Sequence, residues 1–275
     1  GGFLRMGGVA GTCHRKGRSF GALLLGTLAL GALPNRAAAA PSSSWTFTPA
    51  FVSQYMLRGA RLGGPSFEPN IEFGSGALTL GLWTNFPIKD KVAGQADPEL
   101  EPYGSYTFDL VRDKLTLQPG FILYVFPNAK KSAGFYPATF EPSLALNWMP
   151  ADGWKLTPKI YRDVVRKQTV LEFNAAFNVP LKGAGTELDF LGTVGTFRAA
   201  DAFAHAAPAM KNWGDYSLLG VTVPFQIVRG SQRLLLGFAY TRGRDNFLKQ
   251  GANPKSINSA AVGRGVVTIG YAITF

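Results

Sequence analysis

The stretch Val267–Phe275 reads VTIGYAITF, and its side chains alternate with a period of two. Val267, Ile269, Tyr271, Ile273 and Phe275 share one face, while Thr268, Gly270, Ala272 and Thr274 share the other. A strand alternates in this way when its two faces meet different surroundings. With the apolar face outward and the small or polar face inward, the strand belongs to a barrel in lipid. The inverse belongs to a soluble sandwich or a lipocalin-like barrel.

The alternation recurs in twelve stretches, near 45–57, 67–73, 78–86, 100–110, 114–126, 136–148, 154–164, 169–180, 187–197, 213–228, 233–241 and 265–275. Leu100, Pro102, Gly104, Tyr106, Phe108 and Leu110 oppose Glu101, Tyr103, Ser105, Thr107 and Asp109. Leu171, Phe173, Ala175, Phe177 and Val179 oppose Glu172, Asn174, Ala176 and Asn178. A loose repeat runs through them: FEPNIEF, LEPYGSY, LQPGFIL, FEPSLAL and LTPKIYR. Proline has no N–H to give a ladder, so these prolines are expected near strand beginnings or at bulges.

The connections set the architecture. GSGA, VRD, MPADG, LKGAGT and RGSQ are short and fall between alternate pairs of strands. RGARLGGPS, PIKDKVAGQADPE, PNAKKSAGF, RAADAFAHAAPAMKN and 242–264 fall between the others, where only VVRKQ is short. Short turns at one end and long loops at the other describe an all-β, up-and-down antiparallel transmembrane β-barrel of about twelve strands, occupying residues 41–275. Aromatics make up 13% of the chain, and Trp45, Tyr55, Phe86, Phe126, Tyr136, Trp148, Trp154 and Trp213 fall at strand ends, as interfacial girdles do. In a soluble sandwich the small and polar face would be the outer one, and it is too rich in Glu, Asn, Thr and Gln to be the surface of a basic protein with few lysines on its strands.

Residues 1–40 are of another kind. Arg15, Lys16 and Arg18 precede an apolar run from Phe20 to Leu33, followed by Ala37–Ala40. This is the layout of a secretory signal peptide with cleavage after Ala38 or Ala40. The run is too short for a spanning helix, which needs about 20 residues. The only cysteine, Cys13, precedes the run and cannot be a lipoprotein cysteine. Residues 41–275 keep 23 Lys and Arg against 17 Asp and Glu, a net charge of +6.

Charge then assigns the polar groups. A charge facing lipid at the midplane costs about 2–4 kcal/mol when basic and less when acidic. Glu68, Glu72, Glu101, Glu141 and Glu172, with Asp109, Asp163, Asp189, Lys159, Tyr103, Tyr124 and Tyr161, are therefore expected in the lumen. Glu101, Glu141 and Glu172 fall early in strands four, six and eight, which run in one direction. They are expected at one depth, as part of a ring that favours cations. A salt-bridged plug or a merely hydrated interior is the alternative. The loops are basic: Arg58, Arg61, Lys130, Lys131, Arg166, Lys167, Arg242 and Arg244 suit lipopolysaccharide phosphates at the rim, or recruitment of anionic solutes. Nucleic acid is not an expected partner of such a barrel.

Catalysis has little support. The segment after residue 40 has one histidine, His205, in an Ala-rich loop, where Ser217 or Asp201 would have to approach it to build a lipid-hydrolysing site at the rim. No metal-ligand spacing, phosphate cradle or dinucleotide fingerprint occurs, so no cofactor is expected.

The segments FVSQYMLRGARLGGPSFEPNIEFGSGALTLGLWTNF and DPELEPYGSYTFDLVRDKLTLQPGFILYVFPNA resemble the opening of the TorF-like porins of proteobacteria, over about residues 50–130. In that family a strand ending Tyr-x-x-Arg-Gly leads through a polar loop to a Gly turn and a Trp-bearing strand. The EP dipeptides and the long last loop depart from it. The resemblance implies an outer-membrane barrel in a Gram-negative bacterium and carries no catalytic residues. The ending YAITF, with Tyr271, Ile273 and Phe275, resembles the signal read by the barrel-assembly machinery. The expected function is a porin-like channel for small solutes, the alternatives being a non-conducting envelope barrel and, more remotely, a rim lipid hydrolase.

Overall fold

The computed structural model describes residues 43–90, 97–129, 137–199, 213–245 and 264–275. The signal-peptide expectation for 1–40, and Lys130, Lys131, Tyr136 and His205, lie outside these residues.

Twelve antiparallel staves close into one barrel. β1 (Ser43–Thr48) and β2 (Ala50–Val52) make the first stave, and β3 (Tyr55–Leu57) and β4 (Ala60–Gly63) form a separate hairpin. β5 (Ser66–Phe67) and β6 (Asn70–Ser75) make the second, β7 (Leu78–Pro87) the third, and β8 (Glu99–Tyr106) with β9 (Phe108–Val111) the fourth. β10 (Leu115–Val125), β11 (Ala138–Trp148), β12 (Trp154–Asp163), β13 (Gln168–Leu181) and β14 (Thr186–Ala199) follow, then β15 (Trp213–Val228), β16 (Gln232–Asp245) and β17 (Arg264–Thr274). β17 closes the barrel on β1, with Thr46 opposite Thr274, and on β2, with Val52 opposite Thr268. Phe275 N–H donates to the Trp45 carbonyl at 2.9 Å and Trp45 N–H returns the bond at 3.3 Å, so the terminal aromatic is itself part of the seam. Closure pairs the first stave with the last, so the wall has no free terminal edge, the condition for placing strands in hydrocarbon.

The two faces separate as the alternation requires. Leu82, Phe121, Leu144, Ile160, Leu171, Phe173, Leu219, Phe238 and Ile269 stand exposed on the outside. Trp45, Tyr106, Trp148 and Trp154 form an aromatic girdle near the short-turn end, and Phe51, Phe86 and Tyr240 another near the long-loop end. Inside, Tyr rings seat on glycines of the neighbouring strand: Tyr103 covers Gly81 and Tyr216 covers Gly195, each pair directly opposite in its ladder. A Cβ at either glycine would overlap the ring, so these positions hold the inner wall together through absence of a side chain.

Several expectations need correction. Residues 45–57 are not one strand: Pro49 interrupts the first stave and the chain leaves the wall after Val52. Tyr55 and Phe126 are buried inside the barrel and take no part in a girdle. Most of the repeat prolines sit inside strands, away from their beginnings. Pro69 does lie at a break, between β5 and β6, but Pro102, Pro119, Pro142 and Pro158 are within β8, β10, β11 and β12. Each coincides with a gap or an end in the ladder on one side. The β10–β8 register skips Pro102, the β8–β9 break falls opposite Pro119, and the β11–β12 ladder begins just past Pro142 and skips Pro158. Loss of one N–H therefore costs one rung, while the ladder on the other flank continues through the proline.

Candidate functional site

The connection between the first two staves folds inward. Leu57-Arg58-Gly59-Ala60 is a two-residue turn in which both central residues have positive φ, 48° at Arg58 and 78° at Gly59. That is the type I′ geometry whose twist suits a tight hairpin. The hairpin is tied at its base by Tyr55 N–H to the Gly64 carbonyl (3.2 Å), and Gly64 N–H bonds the Asp90 carbonyl (3.2 Å).

From there it reaches the wall on every side. Tyr55 Oη donates to Glu99 Oε2 at 2.7 Å, and its ring packs at 5.7 Å from that of Trp83. Arg58 makes a two-pronged bond to Glu141, 2.6 Å to Oε1 and 3.1 Å to Oε2, and its guanidinium lies 5.2 Å above the Tyr161 ring. Met56 joins Val52, Leu191, Leu218, Ala239 and Val266 in one apolar cluster. Gly59 lies backbone to backbone against Gly243 of β16, so close that a Cβ on either would overlap the other. Together these contacts touch staves three, four, six, seven, nine, ten, eleven and twelve: the hairpin crosses the lumen.

Arg58 and Arg61 thus leave the rim to which their charge assigned them. The Arg58 side chain is 12% exposed and paired to Glu141, itself 1% exposed. Arg61 is buried, donates from Nε to Gln54 Oε1 at 2.9 Å, and lies 3.7 Å from Asp90. The reason is the course of the loop, which carries both cations into a wall rich in carboxylates. Burial opposes the charge on Arg58, but neighbouring groups, Glu141 first among them, offset this and hold its pKa well above the ordinary value. Burial, then the charge of Glu99, raises the Tyr55 phenol well above its own.

Glu68, Glu101, Glu141 and Glu172 are buried on the inner wall. Glu68 accepts from Asn85 Nδ2 (3.0 Å) and Glu72 from Tyr103 Oη (2.8 Å). Glu172 accepts from Tyr161 Oη (3.0 Å), Tyr216 Oη (2.6 Å) and Asn174 Nδ2 (2.8 Å). Lys159 Nζ sits 4.4 Å over the Tyr161 ring. Glu101, Glu141 and Glu172 share the inner face, but Glu141 is committed to Arg58 and Glu172 to three neutral donors. Glu101 Oε1 and Glu68 Oε2 are buried without a hydrogen-bond partner. Glu99, one residue before the stretch that alternation marks as a strand, begins β8 and is as buried as Glu101. Two aspartates lie toward the ends of the inner face, Asp163 buried in register with Tyr161 and Asp109 opposite Thr116. Asp163 caps the β12–β13 turn by accepting from Val165 and Arg166 N–H (2.9 and 2.8 Å), and Asp109 is exposed in β9.

Of the remaining rim candidates, Arg166 and Lys167 stand on the β12–β13 turn, and Arg242 is exposed in β16 with Arg244 two residues beyond it. Tyr271 Oη donates to Gln232 Oε1 at 2.6 Å, and Ile273 lies opposite Phe47 in the seam. Ser217 faces outward among the exterior side chains of β15. Among the described residues no group of three His, Cys, Asp or Glu side chains is placed to hold a metal.

No family model matches the chain, and no curated protein sequence does. Solved structures match at the level of fold. The KdgM porin superposes with a TM-score of 0.51 at 10% identity, covering 84% of this chain and 99% of its own. The NanC porin superposes with a TM-score of 0.50 at 10% identity, covering 83% and 98%. The shared feature is a closed antiparallel barrel of outer-membrane type, which takes up almost the whole of each porin chain.

Proposed function

We propose that this chain is an outer-membrane channel for small solutes, in which the Tyr55–Gly63 hairpin narrows the passage. The observation that carries the reading is the inversion of polarity across the wall: apolar side chains outside, and Glu, Lys, Tyr, Asn and Thr inside, around a hairpin that bars the lumen. A polar interior in a lipid-facing barrel is of use to a polar solute. The fold likeness to two porins supports the same reading. The finer assignment is to the TorF-like porins, with residues 1–40 as signal peptide and the basic rim of Arg166, Lys167, Arg242 and Arg244, with Lys130 and Lys131, against lipopolysaccharide. Tyr271, Ile273 and Phe275 serve the barrel-assembly machinery.

A second reading is a non-conducting barrel, favoured by the pairing of Arg58 with Glu141, which bars the lumen in the form described. Planar-bilayer recording in a salt gradient separates the two. Discrete current steps whose reversal potential favours cations, and moves toward anions in Glu101→Gln, are the expected result. A purified, folded barrel that inserts and passes no current contradicts the channel.

A further inference from the structure

We propose that the β3–β4 hairpin is a hinged gate carrying its own charge: a potential negative on the long-loop side draws it out of the barrel. The inference rests on the channel reading above and deepens it.

Three features make the hairpin a separable body. It pairs only with itself, as a two-stranded sheet apart from the fifteen-stranded wall. It joins the wall at two narrow points, Ser53, whose N–H bonds the Val267 carbonyl (2.9 Å), and the Gly63-Gly64 step. Side chains attach it to the wall, Tyr55 on Glu99, Arg58 on Glu141 and Gln54 Nε2 on the Gly265 carbonyl (2.8 Å), and none of these is a ladder bond. Swinging it out breaks no rung of the barrel.

Its charge is one-signed. Residues 53–65 contain Arg58 and Arg61 and no Asp or Glu. Arg61 is bonded to Gln54 within the same segment, so it travels with the hairpin. The work a transmembrane potential does on such an element scales with the charge moved. The partners left behind, Glu99, Glu141 and Asp90, belong to the wall and its loops. Gly243 is the stop: only two glycines facing each other let the tip close down on β16.

Currents should be recorded from the full chain, inserted from one side and ramped through both polarities. The wild-type open fraction is expected to rise when the long-loop side is negative. In Arg58→Gln the steepness of that response should fall by about half, since one of two moving charges is lost. In Glu141→Gln the open fraction at zero potential should rise about tenfold or more, because a charge-assisted two-pronged bond is gone. Gly243→Val, which occupies the seat of Gly59, should stay open in both polarities. Equal steepness in wild type and Arg58→Gln overturns the gate. So does an unchanged open fraction in both Glu141→Gln and Gly243→Val. A barrel with residues 54–64 replaced by a Gly-Ser linker separates the layers. If it passes no current, the channel reading falls and the gate with it; if it conducts beside a wild type without polarity dependence, only the gate falls.

Discussion

Staves two to eight line the interior with Glu68, Glu99, Glu101, Glu141 and Glu172, whereas staves nine to twelve line it with Leu191, Leu218, Ala239 and Val266, interleaved with Thr193, Thr222, Thr241 and Thr268, and with Glu187 and Asp189 toward the short-turn end of β14. The ladders differ as well. Prolines interrupt pairing between β8 and β12, while β13 pairs with β14 without a gap from Gln168–Ala199 to Leu181–Thr186. The hairpin is matched to both walls: Tyr55 and Arg58 meet the acids and Met56 meets the apolar cluster. The difference explains why the lumen is barred by a segment of two characters. Buried carboxylates need a counter-charge or donors, and an apolar wall needs an apolar partner, so a purely polar loop would satisfy only one side.

The comparison can be broken by mutation, starting at the acid wall. Glu141→Ala leaves the Arg58 guanidinium buried without its partner, and is expected to cost about 3–5 kcal/mol in urea unfolding of the refolded barrel. The Arg58→Ala/Glu141→Ala double variant should recover part of that loss; strict additivity would show that the pair does not form. Met56→Ala opens a gap against Leu218 and should cost about 2–4 kcal/mol. A cost no larger than that of a surface change would mean the apolar wall does not hold the hairpin. Tyr216→Phe removes one of three donors to Glu172 and should cost about 1–2 kcal/mol. At the rim, Lys167 has a φ of 52°, and Lys167→Gly should raise stability by about 1 kcal/mol or less.

The wall was legible in the sequence and the hairpin was not. Alternation located Val267–Phe275 and its partners, because lipid outside and a crowded polar lumen inside act on every second residue along a stave. Loop lengths ordered the staves. Alternation also ran on past Val52 into Tyr55 and Leu57, since inside the lumen the hairpin has an apolar and a polar side of its own. The signal that could have separated it is Arg58-Gly59, a two-residue turn between apolar flanks. Arg58 and Arg61 were placed outside because charge in a long connection reads as solvent-facing. Where a loop travels depends on the far wall, here Glu141 and Gly243, more than eighty residues away in sequence. The prolines misled for a related reason: a barrel strand has two ladders, and local sequence does not say which flank can spare a rung.

The measurement that bears most directly on the hairpin's place in the lumen is cysteine labelling of the folded barrel, with Cys13 replaced by Ser. Met56→Cys sits where Met56 is 5% exposed, and Lys89→Cys sits on the exposed loop beside Gly64, at the base of the hairpin. With a bulky, membrane-impermeant maleimide added from the long-loop side, Lys89→Cys is expected to label fast. Met56→Cys should label slowly until Glu141→Gln is added. Equal labelling rates at the two positions in the otherwise unaltered barrel would contradict a hairpin that crosses the lumen.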